Sequence, residues 1–143
     1  MALLSPADCD RIARGIADAE RETSGEFRVH VQRRVRGDVT AAARRRFEKL
    51  GLAATRERNG ALLFVALDDR RFCVLGDEGI HRRVAPDFWA AAVALMAGHF
   101  RNGDVVGGIE AGVREIGRAL RELFPRQPED LNELPDDASL GAR

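Results

Sequence analysis

Neither sign of charge is in excess in this sequence: its 143 residues carry 23 basic and 23 acidic side chains, a formal net charge of zero. The balance argues against a dedicated nucleic-acid binder, whose affinity rests on a surplus of cations facing phosphates. Cysteine is scarce. Cys9 and Cys73 lie far apart with no C-x-x-C spacing, so neither a zinc ribbon nor a thioredoxin motif can be assembled from them. Reduced, buried thiols are expected rather than a disulfide. Long apolar runs are missing too, and with them any candidate membrane span. The opening residues combine a proline with two aspartates and lack the cationic start and apolar run of a secretory signal. A soluble, cytoplasmic protein is therefore expected. Lys49 is the only lysine, but the arginines are spread through the chain, which reads as compositional bias rather than a site.

What is present is ordinary globular composition, 45% hydrophobic and 32% charged. One domain is expected over residues 1–125, followed by an acidic, extended tail over 126–143. Residues 11–58 carry 13 basic and 7 acidic side chains, whereas 122–143 carry 2 and 6. A basic body with an acidic tail can pair with itself or with a partner.

Hydrophobic periodicity supplies the elements. Ser5 and Pro6 open a helix carrying Ile12 and Ile16, which ends at Thr23-Ser24-Gly25. Glu26 to Arg34 alternates Phe27, Val29 and Val31 with Arg28, His30 and Gln32, predicting a strand near an edge with one polar face. Asp38 caps a second helix running to about Leu50, with Gly51 behind it. Ala61 to Leu67 is apolar throughout, as in a strand covered on both faces. Asp68-Asp69-Arg70 turns the chain into a hairpin partner over Arg71 to Gly76. A second turn at Gly76 to Gly79 precedes two helices, Pro86 to Phe100 and Asp104 to about Phe124. This order predicts an α/β fold, a three-layer α/β/α sandwich with a small mixed β-sheet covered by helices on both faces. A right-handed crossover sets the first two strands parallel, and the hairpin sets the third antiparallel. One rim then collects Ser24, Gly25, Glu26, Arg58, Asn59, Gly60, Asp77 and Glu78.

That rim is the most informative cluster. Glu26, Asp77 and Glu78 offer hard oxygens for Ca²⁺ or Mg²⁺, and Asn59 adds a carbonyl. A cation there could polarise a phosphoryl oxygen or activate water, with the same three carboxylates as candidate catalytic groups. The plainer reading makes Asp77 and Glu78 solvated turn residues and pairs Arg58 with Glu26. Elsewhere the plain readings dominate. Asp68-Asp69 suits a hairpin turn, and Arg44 to Arg46 lacks the interleaved aromatics of an RNA site. His30, His81 and His99 form no H-E-x-x-H pair, and neither a G-x-S-x-G elbow nor a P-loop occurs. Gly108, Gly112 and Gly117 read as close helix packing, and Phe88-Trp89 as core.

In combination, Ala19-Glu20, Thr23-Ser24-Gly25-Glu26, Arg58-Asn59-Gly60 opening an apolar strand, and Gly76-Asp77-Glu78-Gly79-Ile80 resemble the TPM domain family. Asn102-Gly103-Asp104 and the closing Asn132-Glu133-Leu134-Pro135-Asp136 look like its short, unanchored branch. The resemblance covers Ser5 to Asp137. It implies an α/β/α sandwich, often exported or membrane-tethered. Chloroplast members are associated with photosystem II repair and with a proposed acid phosphatase activity, sometimes with calcium. Arg58 stands where anchored members commonly carry an Asp before Asn-Gly.

Two function classes follow. The leading one is a binding or assembly module for a protein complex or a membrane-associated partner, using the motif rim or the acidic tail. The alternative is a metal-assisted, acid-phosphatase-like phosphoester hydrolase using Glu26, Asp77 and Glu78. RNA binding through Arg33, Arg34 and Arg44 to Arg46 is a weaker third.

Overall fold

The computed structural model describes residues 4–126 and 139–140. Helix α1 spans Pro6–Glu20 and opens on a capping box: the Asp8 N–H donates to Ser5 Oγ, and the Asp8 carboxylate accepts the Ser5 N–H. Strand β1 is Glu26–Gln32 and α2 is Val39–Lys49, whose first turn is held by the Asp38 carboxylate. Gly51, at φ 77°, turns the chain into a short 3₁₀ segment, Leu52–Ala54. Strand β2 is Gly60–Ala66 and β3 is Arg71–Gly76. Helices α3 (Glu78–His81), α4 (Ala90–Arg101) and α5 (Val105–Leu123) follow, with Asp104 capping α5 through the Gly107 N–H. A two-residue strand, β4, is Ser139–Leu140.

The sheet order is β3-β2-β1-β4, with β1 parallel to β2 and β4, and β3 antiparallel to β2. Phe27, Val29, Val31, Ala61, Leu63 and Val65 face one layer, packing with Ile12, Ile16, Met96, Ile109 and Ile116 of α1, α4 and α5. Leu62, Phe64 and Ala66 face the other, against Ala43 and Phe47 of α2 and against Leu52. This is the expected three-layer sandwich.

Strand β1 lies near an edge, as expected, with the two-residue β4 outside it at His30 and Val31. Several other expectations are corrected. The second face of β1 is not solvated: Glu26, Arg28 and His30 are all buried. The turn at Asp77 continues into α3, since the Asp77 carboxylate accepts the Glu78 N–H at 2.8 Å and its carbonyl accepts from Ile80 and His81. The helix expected from Pro86 begins only at Ala90, after a turn closed by Phe88 and Ala90 N–H groups on the Ala85 and Asp87 carbonyls. The acidic stretch at 127–138 lies outside the described residues. Cys9 and Cys73 are free thiols and half-buried rather than fully buried, and burial pushes both thiol pKa values up.

The glycines of α5 act as close-packing points. A Cβ at Gly117 would stand 2.7 Å from Ala19 Cβ on α1, and neither backbone can yield locally. Gly117→Ala is therefore expected to destabilise by about 1–2 kcal/mol even though alanine favours a helix by about 1 kcal/mol. Urea titration checks the sign; a stabilised variant would show that the two helices separate freely.

Candidate functional site

The parallel register sets Glu26 beside Gly60, and the hairpin sets Ala61 beside Gly76. The starts of β1 and β2 and the end of β3 therefore share one rim, as the crossover argument requires. Gly60 and Gly79 let the backbone close there. A Cβ at Gly60 would lie 2.6 Å from the Leu52 carbonyl oxygen, and one at Gly79 would lie 2.6 Å from that of Arg58. The Gly79 N–H donates to that Arg58 carbonyl at 2.8 Å, joining the two motif loops.

Arg58 closes over two of the three candidate carboxylates, Asp77 and Glu78. Its Nε donates to Asp77 Oδ2 at 2.6 Å and its Nη2 to Asp77 Oδ1 at 2.9 Å, a bidentate fork, while Nη1 reaches Glu78 Oε1 at 3.3 Å. Glu78 also accepts from Arg82 Nη2 at 3.0 Å. The hydrogen bond to Asp77, followed by its charge and that of Glu78, holds the Arg58 pKa above its ordinary value. Arg58 adopts φ 52°, a left-handed conformation that a bulky side chain rarely takes. The expected Arg58–Glu26 pair does not form. Glu26 is buried and its Oε2 lies 3.7 Å from Arg28 Nη2.

Asn59 is buried and turned the other way. Its N–H donates to Thr55 Oγ1 at 3.2 Å, and its amide donates to Ser24 Oγ at 3.3 Å and Glu57 Oε2 at 3.2 Å. Among the described residues no three His, Cys, Asp or Glu side chains converge to hold a metal ion. The four positions Glu26, Asn59, Asp77 and Glu78 thus share the rim without forming one ligand set. A guanidinium supplies donors and positive charge where a cation needs oxygen donors and negative charge, so the residues as placed do not fit Ca²⁺ or Mg²⁺.

Sequence reasoning missed a second polar cluster beside the rim. Glu20, at the last residue of α1, accepts the Phe27 N–H at 2.9 Å and Arg28 Nη1 at 3.2 Å. Arg28 Nη1 also donates to the Phe27 carbonyl. Glu20, Glu26 and Arg28 are 4%, 2% and 3% exposed, a degree of burial that charges tolerate only when paired. The signal was available: Glu26 and Arg28 lie two apart on a strand and so share its face. Thr23 ties the same loop to α5, its Oγ1 donating to the Leu120 carbonyl at 3.0 Å and accepting the Gly25 N–H at 3.0 Å.

Farther along the same face, His30 is fully buried, with Nε2 2.8 Å from Gln32 Oε1 and its ring 5.4 Å from that of Phe64. Burial lowers its pKa to about 4; the Gln32 contact opposes the shift and the Arg46 charge adds to it. The sign follows by linkage. Below pH ~6.5 the unfolded chain takes up a proton that the folded imidazole refuses, so stability falls with pH until the folded pKa is reached. Between pH 6.5 and 4 the expected loss from this group is about 2 kcal/mol. Denaturation at both pH values should show His30→Gln losing less over that interval than the native chain.

The remaining candidates resolve plainly. His99 Nδ1 lies 3.0 Å from Asp104 Oδ2 at the α4–α5 turn, an arrangement that keeps the exposed Asp104 pKa low. Asp69 accepts the Val35 N–H at 2.7 Å, and Asp68 lies 3.9 Å from Arg34. Trp89 packs edge-on to Phe88 and against the core. Among the described residues no helix is long and apolar enough to cross a membrane.

Comparison with solved structures adds relatives to this geometry. The NMR structure of the BA42 protein from the psychrophilic bacterium Bizionia argentinensis is 35% identical, with TM-score 0.91, covering 98% of this chain and 97% of that one. The N-terminal domain of a protein from P. gingivalis is 22% identical with TM-score 0.70, covering 86% and 80%. The N-terminal domain of the cg2496 protein of Corynebacterium glutamicum is 16% identical with TM-score 0.65, covering 82% and 74%. These last two share the fold. No curated protein matches. The TPM domain matches residues 1–119, which hold the rim, its two motif loops and the buried Glu20–Arg28 pair, and the chain belongs to the TPM domain family.

Proposed function

We propose that this chain is a binding module for a protein complex or a membrane-associated partner, with the motif rim as its contact surface. The observation that supports this reading is the Arg58 fork across Asp77, extended to Glu78. A hydrolase working through Glu26, Asp77 and Glu78 needs those carboxylates open to a cation or a substrate proton. Here Asp77 is 8% exposed and already held by the guanidinium and the Glu78 N–H. The outer side chains, Glu78 and Arg82, carry opposite charges at the surface, and such a pattern selects partners and fixes their orientation. The acidic stretch at 126–143 is a second candidate contact.

Two measurements test the reading. Hydrolysis of p-nitrophenyl phosphate with Mg²⁺ or Ca²⁺ should stay at the protein-free rate. Turnover that falls on Glu26→Gln and Asp77→Asn would instead establish the alternative, metal-assisted phosphoester hydrolysis. A partner captured by the native chain should be lost on charge reversal by Glu78→Arg with Arg82→Glu, and one retained in full would remove the rim as its contact. Neutralising Glu129, Asp130 and Glu133 applies the same test to the acidic stretch.

A further inference from the structure

The opposite end of the sheet carries a cleft of ≈ 570 Å³ between the β2–β3 hairpin and the α4–α5 turn. Its size falls in the range of about 300–1,000 Å³ typical of small-molecule sites. Val65, Leu67, Phe72, Phe100 and Val105 supply apolar walls, with the Phe72 and Phe100 rings edge-to-face at 5.0 Å. Arg70, Arg71 and Arg101 supply the polar lining, although Arg71 Nη2 is turned away to the Gly37 carbonyl at 2.8 Å, and among the described residues no carboxylate lines the cleft.

The acids nearest in sequence are engaged elsewhere. Asp68 lies against Arg34, Asp69 accepts from Val35, and Asp104 holds His99 and the Gly107 N–H. Arg70 and Arg101 therefore border an apolar cleft whose lining, among the described residues, contains no acid to offset them. A second, independent observation concerns Arg70. It sits in the hairpin turn at φ 52°, where glycine or asparagine is locally favoured and a long side chain is strained. Strain of this kind is concentrated at ligand sites, where a particular side chain is worth its local disadvantage.

We propose that this cleft binds a single-chain anionic amphiphile, an acyl or alkyl chain ending in a carboxylate or phosphate. The chain lies against Phe72, Phe100 and Val105, and the head group is met by Arg70 and Arg101. The site is independent of the Arg58 rim, at the other end of the sheet, and stands or falls separately from the reading of that rim.

Octanoate, octyl phosphate, octan-1-ol and inorganic phosphate, titrated into isotope-labelled full-length protein, test it by amide shifts. Octanoate and octyl phosphate should give saturable shifts at Phe72, Phe100 and Val105, with inorganic phosphate giving none. Octan-1-ol should bind about tenfold more weakly, and Arg70→Ala with Arg101→Ala should lower octanoate affinity by about the same factor. Ala97→Phe, which fills the cleft, should abolish binding while the remaining spectrum reports an intact fold. Vesicles of phosphatidylglycerol separate the two sources of such a head group. Vesicle binding displaced by octanoate names a bilayer lipid, and octanoate binding without vesicle binding names a soluble amphiphile. Equal affinity for octanoate and octan-1-ol, binding that survives Ala97→Phe, or no saturable shift would overturn the proposal.

Discussion

Arg28→Met is expected to lower the unfolding free energy by about 3–5 kcal/mol, the range for removing one partner from a buried ion pair. Arg28 lies on the second face of β1, with Glu26 and within reach of Glu20, and all three side chains are almost completely buried. Methionine fills much of the same volume, so the loss reports the missing guanidinium beside two buried carboxylates rather than a cavity. A domain of this size has about 5–15 kcal/mol in total, so the variant should unfold at markedly lower urea. The double variant Arg28→Met with Glu20→Gln should lose less than the sum of the two single changes, because the second removes the charge that the first exposed. Strict additivity would show that Glu20 and Arg28 do not depend on each other.

Arg58→Asp is expected to convert the rim from a closed ion pair into a cation site. The native guanidinium forks onto Asp77 and bridges to Glu78. Substituting aspartate removes that cation and adds a third carboxylate at a position whose φ of 52° aspartate accepts more readily than arginine. Ca²⁺ should then bind with a Kd on the order of 10⁻⁴–10⁻³ M, the weak end for oxygen-ligand sites, and should raise the Tm of the variant by mass action. The native chain should give no calorimetric signal under the same conditions. Absence of a calcium-dependent Tm shift in the variant would show that Arg58 is not what keeps the site closed. The substitution therefore also tests whether one side chain separates a closed ion pair from a cation site.

Both predictions concern residues whose chemistry was visible in the chain but whose partners were not. Alternation along Phe27, Val29 and Val31 correctly assigned the inward face of β1. The same alternation, carrying Arg28 and His30, implied a solvated second face. It failed because a buried arginine paired with Glu20 reads, in one dimension, like an exposed one. Arg58 was read as the partner of Glu26, its neighbour across the expected rim. The guanidinium instead turned to Asp77, where two acceptor oxygens match its fork.

Local chemistry was legible wherever it is local in the chain. Ser5, Asp38 and Asp104 cap their helices through amides two or three residues ahead, and Asp68 to Arg70 turn a hairpin. The layer order and the membership of the rim also followed from sequence alone, because right-handed crossover leaves few alternatives once the strands are known. What only the tertiary structure decided are the contacts between elements distant in the chain. These include Ser139–Leu140 pairing with β1, Glu20 meeting Arg28, Arg58 closing over Asp77, and Arg70 and Arg101 bordering an apolar cleft. Periodicity records which face a residue occupies but not which opposite charge lies across the gap. That choice depends on distances of a few ångströms, fixed only when the layers pack.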